Sequence, residues 1–205
     1  MQQRGQFIVF EGIDGCGKTT HTALLAKAYA ERTGKRCIIE REPDSRDIIG
    51  AIIRSALYGS VRISPEAMAY LHVADRLEHI AYMTPILESG TSVICDRYFI
   101  SNMAYNASDT LSVRQIYELN RPCFEKLRPD AVVFLDVPPE ETARRRAAER
   151  SDEEIYDRME RQVRIYGNYM QALEIIAADG MKVLRVDATA PAETVSAEII
   201  RGLGI

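Results

Sequence analysis

The 205-residue chain has no apolar run approaching the ~18 residues needed to cross a bilayer, which excludes a membrane-spanning helix. Its four cysteines, Cys16, Cys37, Cys95 and Cys123, show no paired spacing. That excludes a zinc ribbon or a disulfide framework and sets the expectation of a reducing, cytoplasmic home. Positive charge is scarce: 26 Lys and Arg against 30 Asp and Glu leave a formal net charge of −4. Broad electrostatic binding to nucleic acid is therefore not expected. No internal repeat, low-complexity tract or linker-like stretch interrupts the chain, so one domain over residues 1–205 is expected. The opening Met1-Gln-Gln-Arg-Gly-Gln6 leads straight into an apolar segment, without the pattern of a secretory signal. What is present, 46% hydrophobic and 27% charged residues, suits an ordinary globular domain with a full three-layer core.

Short apolar runs alternate with helical patterns, the signature of a parallel sheet covered on both faces. Strands are predicted over Phe7–Glu11, Arg36–Glu40, Thr91–Asp96, Ala131–Asp136 and Lys182–Val186. Helices are predicted over Lys18–Arg32, Arg46–Leu57, Pro65–Glu88, Val113–Leu127, Glu140–Glu149, Asp152–Ala178 and Ala192–Leu203. Gly34, Gly90 and Gly180 stand where helix C-termini favour a left-handed residue, and Pro139 and Pro191 where first-turn prolines belong. The expected architecture is a three-layer α/β/α fold on a five-stranded parallel sheet, with ligands beyond the carboxyl ends of the strands.

Between the first strand and the first helix lies Gly12, then four residues, then Gly17-Lys18-Thr19. This is the spacing of a phosphate-binding loop. Glycines let the backbone curl so that successive N–H groups face phosphate oxygens, and the helix start adds its positive dipole end. Lys18 then reaches the β and γ phosphates, and the Thr19 hydroxyl can ligate magnesium. The pattern arises by chance in about one chain of this length in a hundred, and the strand–loop–helix setting makes accident rarer still.

Polar residues follow the other strands: Arg41-Glu42-Pro43, Cys95-Asp96-Arg97-Tyr98 and Leu135-Asp136. Cations and carboxylates at one sheet edge beside a phosphate loop suit phosphoryl transfer, although a lone Asp-Arg pair would be read as structural. On the long third helix His72, Arg76 and His79 share a face, and a solvated polar face would explain that spacing equally well. The run Arg144-Arg145-Arg146 with Arg150 reads by itself as a solvated helix end. The phosphate loop, however, holds no arginine between Gly12 and Lys18, so this run is a candidate source of a second cation.

Taken together the chain resembles the thymidylate kinase family across nearly its whole length. The matching stretches are Phe10-Glu11-Gly12-Ile13-Asp14-Gly15-Cys16-Gly17-Lys18-Thr19-Thr20, Arg41-Glu42-Pro43, Gly50-Ala-Ile-Ile-Arg54, Ala74-Asp75-Arg76 with His79, Asp96-Arg97-Tyr98 with Ser101 and Ala104-Tyr105, and Val186-Asp187-Ala188. The resemblance implies phosphoryl transfer from ATP–Mg²⁺ to dTMP, on a core sheet with a lid over roughly residues 144–156, in a homodimer packed through helices. It assigns the loop Gly12 to Thr20 to ATP, and Thr19 and Asp96 to magnesium. Lys18, Arg97, Asp14, Arg146 and Arg150 become the catalytic set, with Arg97 between the two phosphates and Asp14 near the acceptor sugar's 3′-hydroxyl. Arg41 and Arg54 hold the acceptor phosphate, and Arg76 and His72 face the base. Tyr105 crowds the 2′ position, and Pro43, Ser101 and Asn102 complete the acceptor site. From the lid, Arg146 or Arg150 swings onto the γ-phosphate, while Arg145, about 100° around the helix, is a bystander.

The chain departs from the family in four places. Asp44-Ser45-Arg46 replaces a common Gly-Gly-Thr, His72 stands where Phe usually stacks on thymine, Asn106 replaces a frequent Gln, and Ser151 follows Arg150 in place of Gly. Two other readings stay open: a P-loop kinase for another deoxynucleotide or nucleoside, and a non-catalytic nucleotide-binding module. A GTP-binding switch is disfavoured because no Asn-Lys-x-Asp segment occurs.

Overall fold

The computed structural model describes residues 3–44, 46–146 and 152–205, without the side chains of residues 146 and 152–158. Arg150, the side chain of Arg146 and most of the expected lid thus lie outside the described residues. Five strands, β1 (Phe7–Glu11), β2 (Cys37–Arg41), β3 (Ser92–Asp96), β4 (Ala131–Asp136) and β5 (Val183–Asp187), form one sheet in the order β2-β3-β1-β4-β5. Every pairing is parallel, with Phe10 opposite Asp96 on one side and Val133 on the other. β1 and β3 are buried at every position, as their unbroken apolar runs require, while the edge strands β2 and β5 are partly exposed. Strand order reverses about β1, so its carboxyl end opens into the crevice where such sheets bind ligands.

Nine helices are found among the described residues: α1 (Lys18–Thr33), α2 (Ile48–Leu57), α3 (Pro65–Glu88), α4 (Phe99–Asn106), α5 (Val113–Leu119), α6 (Arg121–Lys126), α7 (Pro139–Arg146), α8 (Asp152–Ala178) and α9 (Ala192–Leu203). α1 and α9 pack together over β2 and β5, whereas α3, α4, α5 and α8 pack against one another. α1 ends as predicted at Gly34, which takes φ 66° and donates its N–H to the Ala30 carbonyl. Pro139 opens α7, while Pro191 stands one residue before α9 as its cap. No helix among the described residues is long and apolar enough to cross a membrane.

Three differences from the predicted elements have physical reasons. β2, β3 and β5 begin one residue later than expected, where edge pairing starts. The single helix expected over Val113–Leu127 is two, α5 and α6. Pro122 cannot donate to the ladder, and buried Asn120 ends α5 by bonding its Ile116 carbonyl at 2.7 Å. Helix α4 was not expected at all. No side chain of its own caps it; its first amides are satisfied by Glu11, about ninety residues upstream.

Candidate active site

The phosphate loop joins β1 to α1 and closes on its own lysine. Gly12 has φ 144°, and a Cβ there would stand 2.7 Å from Cys16 Sγ and 2.8 Å from the Leu135 carbonyl, so only glycine fits. Lys18 Nζ is buried and donates to the carbonyls of Gly12 at 2.9 Å and Ile13 at 3.0 Å, with Cys16 Sγ at 3.6 Å. Burial, with the charge of Arg97 adding to it, pulls this ammonium below its ordinary value. Ile13 and Cys16 are packed inside, while Gly15 and Thr20 face solvent.

Thr19 Oγ1 donates to Asp96 Oδ2 at 3.1 Å, and Asp96 Oδ1 is buried with no hydrogen-bond partner. A hydroxyl and an orphaned carboxylate oxygen suit a hard divalent cation that takes its other ligands from phosphate and water. Among the described residues no group of three or more His, Cys, Asp or Glu could hold a metal alone. Arg41 Nε lies 3.9 Å from Asp96 Oδ2 and is mostly exposed.

Arg97 joins the loop to the rest of the site. It is the one non-glycine with positive φ, 75°, among the described residues. Its Nη2 pairs with Asp14 and donates to the Tyr105 hydroxyl at 3.2 Å. Its Nη1 donates to Ser101 Oγ at 2.9 Å, the Tyr169 hydroxyl at 3.1 Å and the Gly12 carbonyl at 3.3 Å. Beneath it lies Glu11, fully buried. Oε1 accepts from the amides of Tyr98 and Ser101 at 2.8 and 3.1 Å, and Oε2 from the hydroxyls of Ser101 and Tyr169 at 2.6 and 3.1 Å. Burial raises the Glu11 carboxyl above its ordinary value, against the pull of those donors and of Arg97. Sequence reasoning gave Glu11 and Tyr169 no role. A carboxylate ending an otherwise apolar strand was the available signal for Glu11; Tyr169 lies 158 residues away and had none.

A cavity of about 700 Å³ opens beside Arg97. It is lined by all nine residues assigned to the acceptor, Arg41, Pro43, Arg54, His72, Arg76, Arg97, Ser101, Asn102 and Tyr105, together with Asp14. Pro43 follows a cis peptide bond. Arg161 of α8 also lines the cavity and was missed, since nothing in its neighbourhood distinguishes it from the other charges of that helix.

The His72, Arg76 and His79 face of α3 is a buried polar stripe, which corrects the solvated alternative. Arg76 lies 2.6 Å from Glu42 Oε2 and donates to Asn120 Oδ1 at 2.5 Å. His79 bridges Glu40 at 3.1 Å and Glu42 at 3.3 Å. Burial opposes its charge, but the two carboxylates outweigh it and push the imidazole up to about 9. His72 is driven down to about 3 by burial and then by Arg76 and Arg97, so it faces the cavity neutral.

Two of the departing residues, Asp44 and Arg46, form an ionic clamp on this cavity. Arg46 pairs with Asp44 at 2.9 Å and with Glu40 at 2.7 Å, and its guanidinium lies 3.7 Å over the Tyr82 ring. Asp75 Oδ2 accepts from the Asp44 amide at 3.1 Å, and Arg54 donates to the Asp44 carbonyl at 2.6 Å. Asn102 donates to the Ala69 carbonyl of α3 at 3.1 Å, so part of its amide is used in holding α4 to α3.

The expected bystander of the lid run is corrected. Arg145 Nη2 donates to the Ala188 carbonyl at 3.1 Å, tying α7 to the loop after β5. Arg144 is the more exposed of the two, its side chain 80% exposed against 33% for Arg145, and both pair with Glu141, at 2.7 and 3.0 Å.

Comparison with known proteins gives one consistent result. A family described as thymidylate kinase matches residues 10–199. The chain is 36% identical over 202 residues to a probable thymidylate kinase of Pyrococcus abyssi, covering 96% of this chain and 95% of that one. It is 39% identical over 179 residues to a probable thymidylate kinase of Thermococcus gammatolerans, covering 83% and 84%. It is 37% identical over 198 residues to the thymidylate kinase of Leifsonia xyli subsp. xyli, covering 95% and 92%.

Proposed function

The chain belongs to the thymidylate kinase family, and from that premise we propose that it transfers the γ-phosphoryl group of ATP to dTMP, giving dTDP and ADP. The observation that carries this reading is the place of Arg97. One guanidinium touches the phosphate-loop carbonyl of Gly12 and lines the acceptor cavity, so it can bridge donor and acceptor phosphates.

The acceptor phosphate is already ionised, so no strong general base is required and the residues act by position and charge. Lys18 leaves its two carbonyls for the β and γ oxygens of ATP. Thr19 and Asp96 would hold magnesium, which when bound would supply charge neutralisation for the transfer. Asp14 orients Arg97 from the cavity side. Arg41 and Arg54 receive the acceptor phosphate; Arg76, braced by Glu42 and Asn120, presents donors to the base, and neutral His72 lies one helical turn before it. Tyr105, its hydroxyl on Arg97, stands where a 2′-hydroxyl would intrude. Arg146 and Arg150, within a lid over roughly residues 144–156, close on ATP and exclude water.

The partners are the two nucleotides, in a cytoplasmic setting, without nucleic acid or membrane. A homodimer packed through helices follows the family resemblance, and exposed Ile48 and Ile52 on α2, outside the cavity, suit it. His72 keeps a second reading in view, a kinase for another deoxynucleotide, because a neutral imidazole offers the base a ring nitrogen. A coupled ADP-release assay with dTMP, dUMP, dCMP and dGMP separates the two. We expect kcat/KM to favour dTMP over each other acceptor by about 10-fold or more. No turnover with dTMP, alongside turnover of another acceptor, overturns the reading.

A further inference from the structure

Arg97 has a backbone that a side-chain-bearing residue seldom adopts and a guanidinium that must meet phosphates at one place. A non-glycine at φ 75° is strained and persists only where its surroundings hold it. Those surroundings converge on one carboxylate. The amide of Tyr98, the residue directly after Arg97, donates to Glu11 Oε1 at 2.8 Å, and the Arg97 amide itself donates to the Phe10 carbonyl at 2.9 Å. The bend is therefore pinned on both sides by consecutive residues of β1.

The side chain is set by the same group. Ser101 Oγ and the Tyr169 hydroxyl each lie within reach of both Glu11 Oε2 and Arg97 Nη1. An ionised carboxylate can only accept and a guanidinium can only donate. Each hydroxyl hydrogen that points at Glu11 leaves oxygen lone pairs turned toward Arg97. We infer that Glu11 is a positioning residue for Arg97, fixing its strained backbone through the Tyr98 amide and its guanidinium through the two hydroxyls. Glu11 does not reach the cavity, whose lining includes Arg97, Ser101 and Tyr105 but not Glu11. It acts on the phosphates only through Arg97, and this inference rests on the phosphoryl-transfer role proposed for that arginine.

Glu11→Gln preserves shape and the Oε1 acceptor, but puts an NH₂ where two hydroxyls now donate. Ser101 then loses its carboxylate acceptor, and the Tyr169 hydrogen is left to the Gly12 carbonyl at 3.1 Å, so neither hydroxyl is held with its lone pairs toward Arg97 as before. The experiment is a double-mutant cycle of Glu11→Gln with Arg97→Ala, read as kcat and KM with whichever monophosphate the wild type turns over best. The wild-type panel tests the assigned reaction; the cycle tests Glu11. We expect Glu11→Gln alone to lower kcat about 10-fold to 100-fold with both KM values within about twofold. In the Arg97→Ala background the same substitution should change the residual kcat by less than about twofold. Losses that multiply in the double variant mean a general structural role and overturn the inference, as does a wild-type kcat in Glu11→Gln. If Glu11→Gln does not fold, Tyr169→Phe carries the test. It should lower kcat several-fold in the wild-type background and leave it unchanged beside Arg97→Ala; equal losses in both backgrounds overturn the inference.

Discussion

At the scale of single residues, Lys18 shows how the phosphate loop is poised. Its ammonium is buried on two neutral carbonyls, so triphosphate oxygens offer it charged acceptors in exchange, bonds roughly twice as strong. Lys18→Ala should leave the fold intact and lower kcat by about 10²-fold or more, because a point charge on the transferring phosphate is lost. Steady-state turnover beside a circular-dichroism melt checks this, and near-normal turnover in a folded variant would remove Lys18 from the mechanism. Cys16, in the same loop, is only 1% exposed and packs under Gly12. Burial withholds its thiol from reagents despite the neighbouring helix start. Iodoacetamide on the native protein should modify half-buried Cys37 before Cys16, as mapped by mass spectrometry of the digest. Early labelling of Cys16 that ATP suppresses would mean that the loop opens in solution.

At the scale of elements, helix α3 carries a buried polar stripe on one face, and His79 is the part of it that can be titrated. Held between Glu40 and Glu42, its imidazole titrates near 9, against about 6.5 in an unfolded chain. A folded pKa above the unfolded one contributes stability that is fully present below about pH 6.5 and fades as pH rises through 9. The contribution is on the order of 2–3 kcal/mol. His79→Gln should therefore melt well below wild type at pH 6, with the gap narrowing toward pH 10; a gap independent of pH would show that packing, not charge, is what His79 provides. This face also marks where sequence reading stops. Helical spacing aligned His72, Arg76 and His79, but their partners Glu40 and Glu42 arrive from β2, and no local pattern shows that pairing. β1, the phosphate loop and α1 were legible because strand, glycines and helix are contiguous and each follows a local rule. α4 was not, because its cap is a side chain on another strand. The residues proposed for the substrate were named through the ordered motifs of the resembled family; Glu11, Tyr169 and Arg161, whose neighbours come from distant parts of the chain, were not named.

At the scale of the whole molecule, the reversal of strand order about β1 gathers the ends of β1, β2 and β3 at one edge, bringing Lys18, Arg41, Asp96 and Arg97 together from three separate segments. In the sheet β3 lies between β2 and β1, so Asp96 and Arg97 stand between Arg41 and the phosphate loop. One charge is missing from that edge: between Gly12 and Lys18 the loop supplies Ile13, Asp14, Gly15 and Cys16, and none is a cation. We propose that Arg146 or Arg150 supplies it from the lid. An arginine delivered this way is worth about 10³-fold or more in turnover. The control has to be chosen by structure. Arg145 anchors α7 to the Ala188 carbonyl, so its removal should cost something on its own, whereas Arg144 is 80% exposed and paired only with Glu141 among the described residues. Alanine at position 144 should leave kcat within about twofold, since an exposed helix ion pair contributes little. Alanine at 146 or 150 should lower kcat steeply with little change in the KM for dTMP, because the contact forms to the γ-phosphate as it transfers. Equal, mild losses at 144, 146 and 150 would reduce the run to a solvated face, and the second cation would then have to come from a described residue of the cavity such as Arg161.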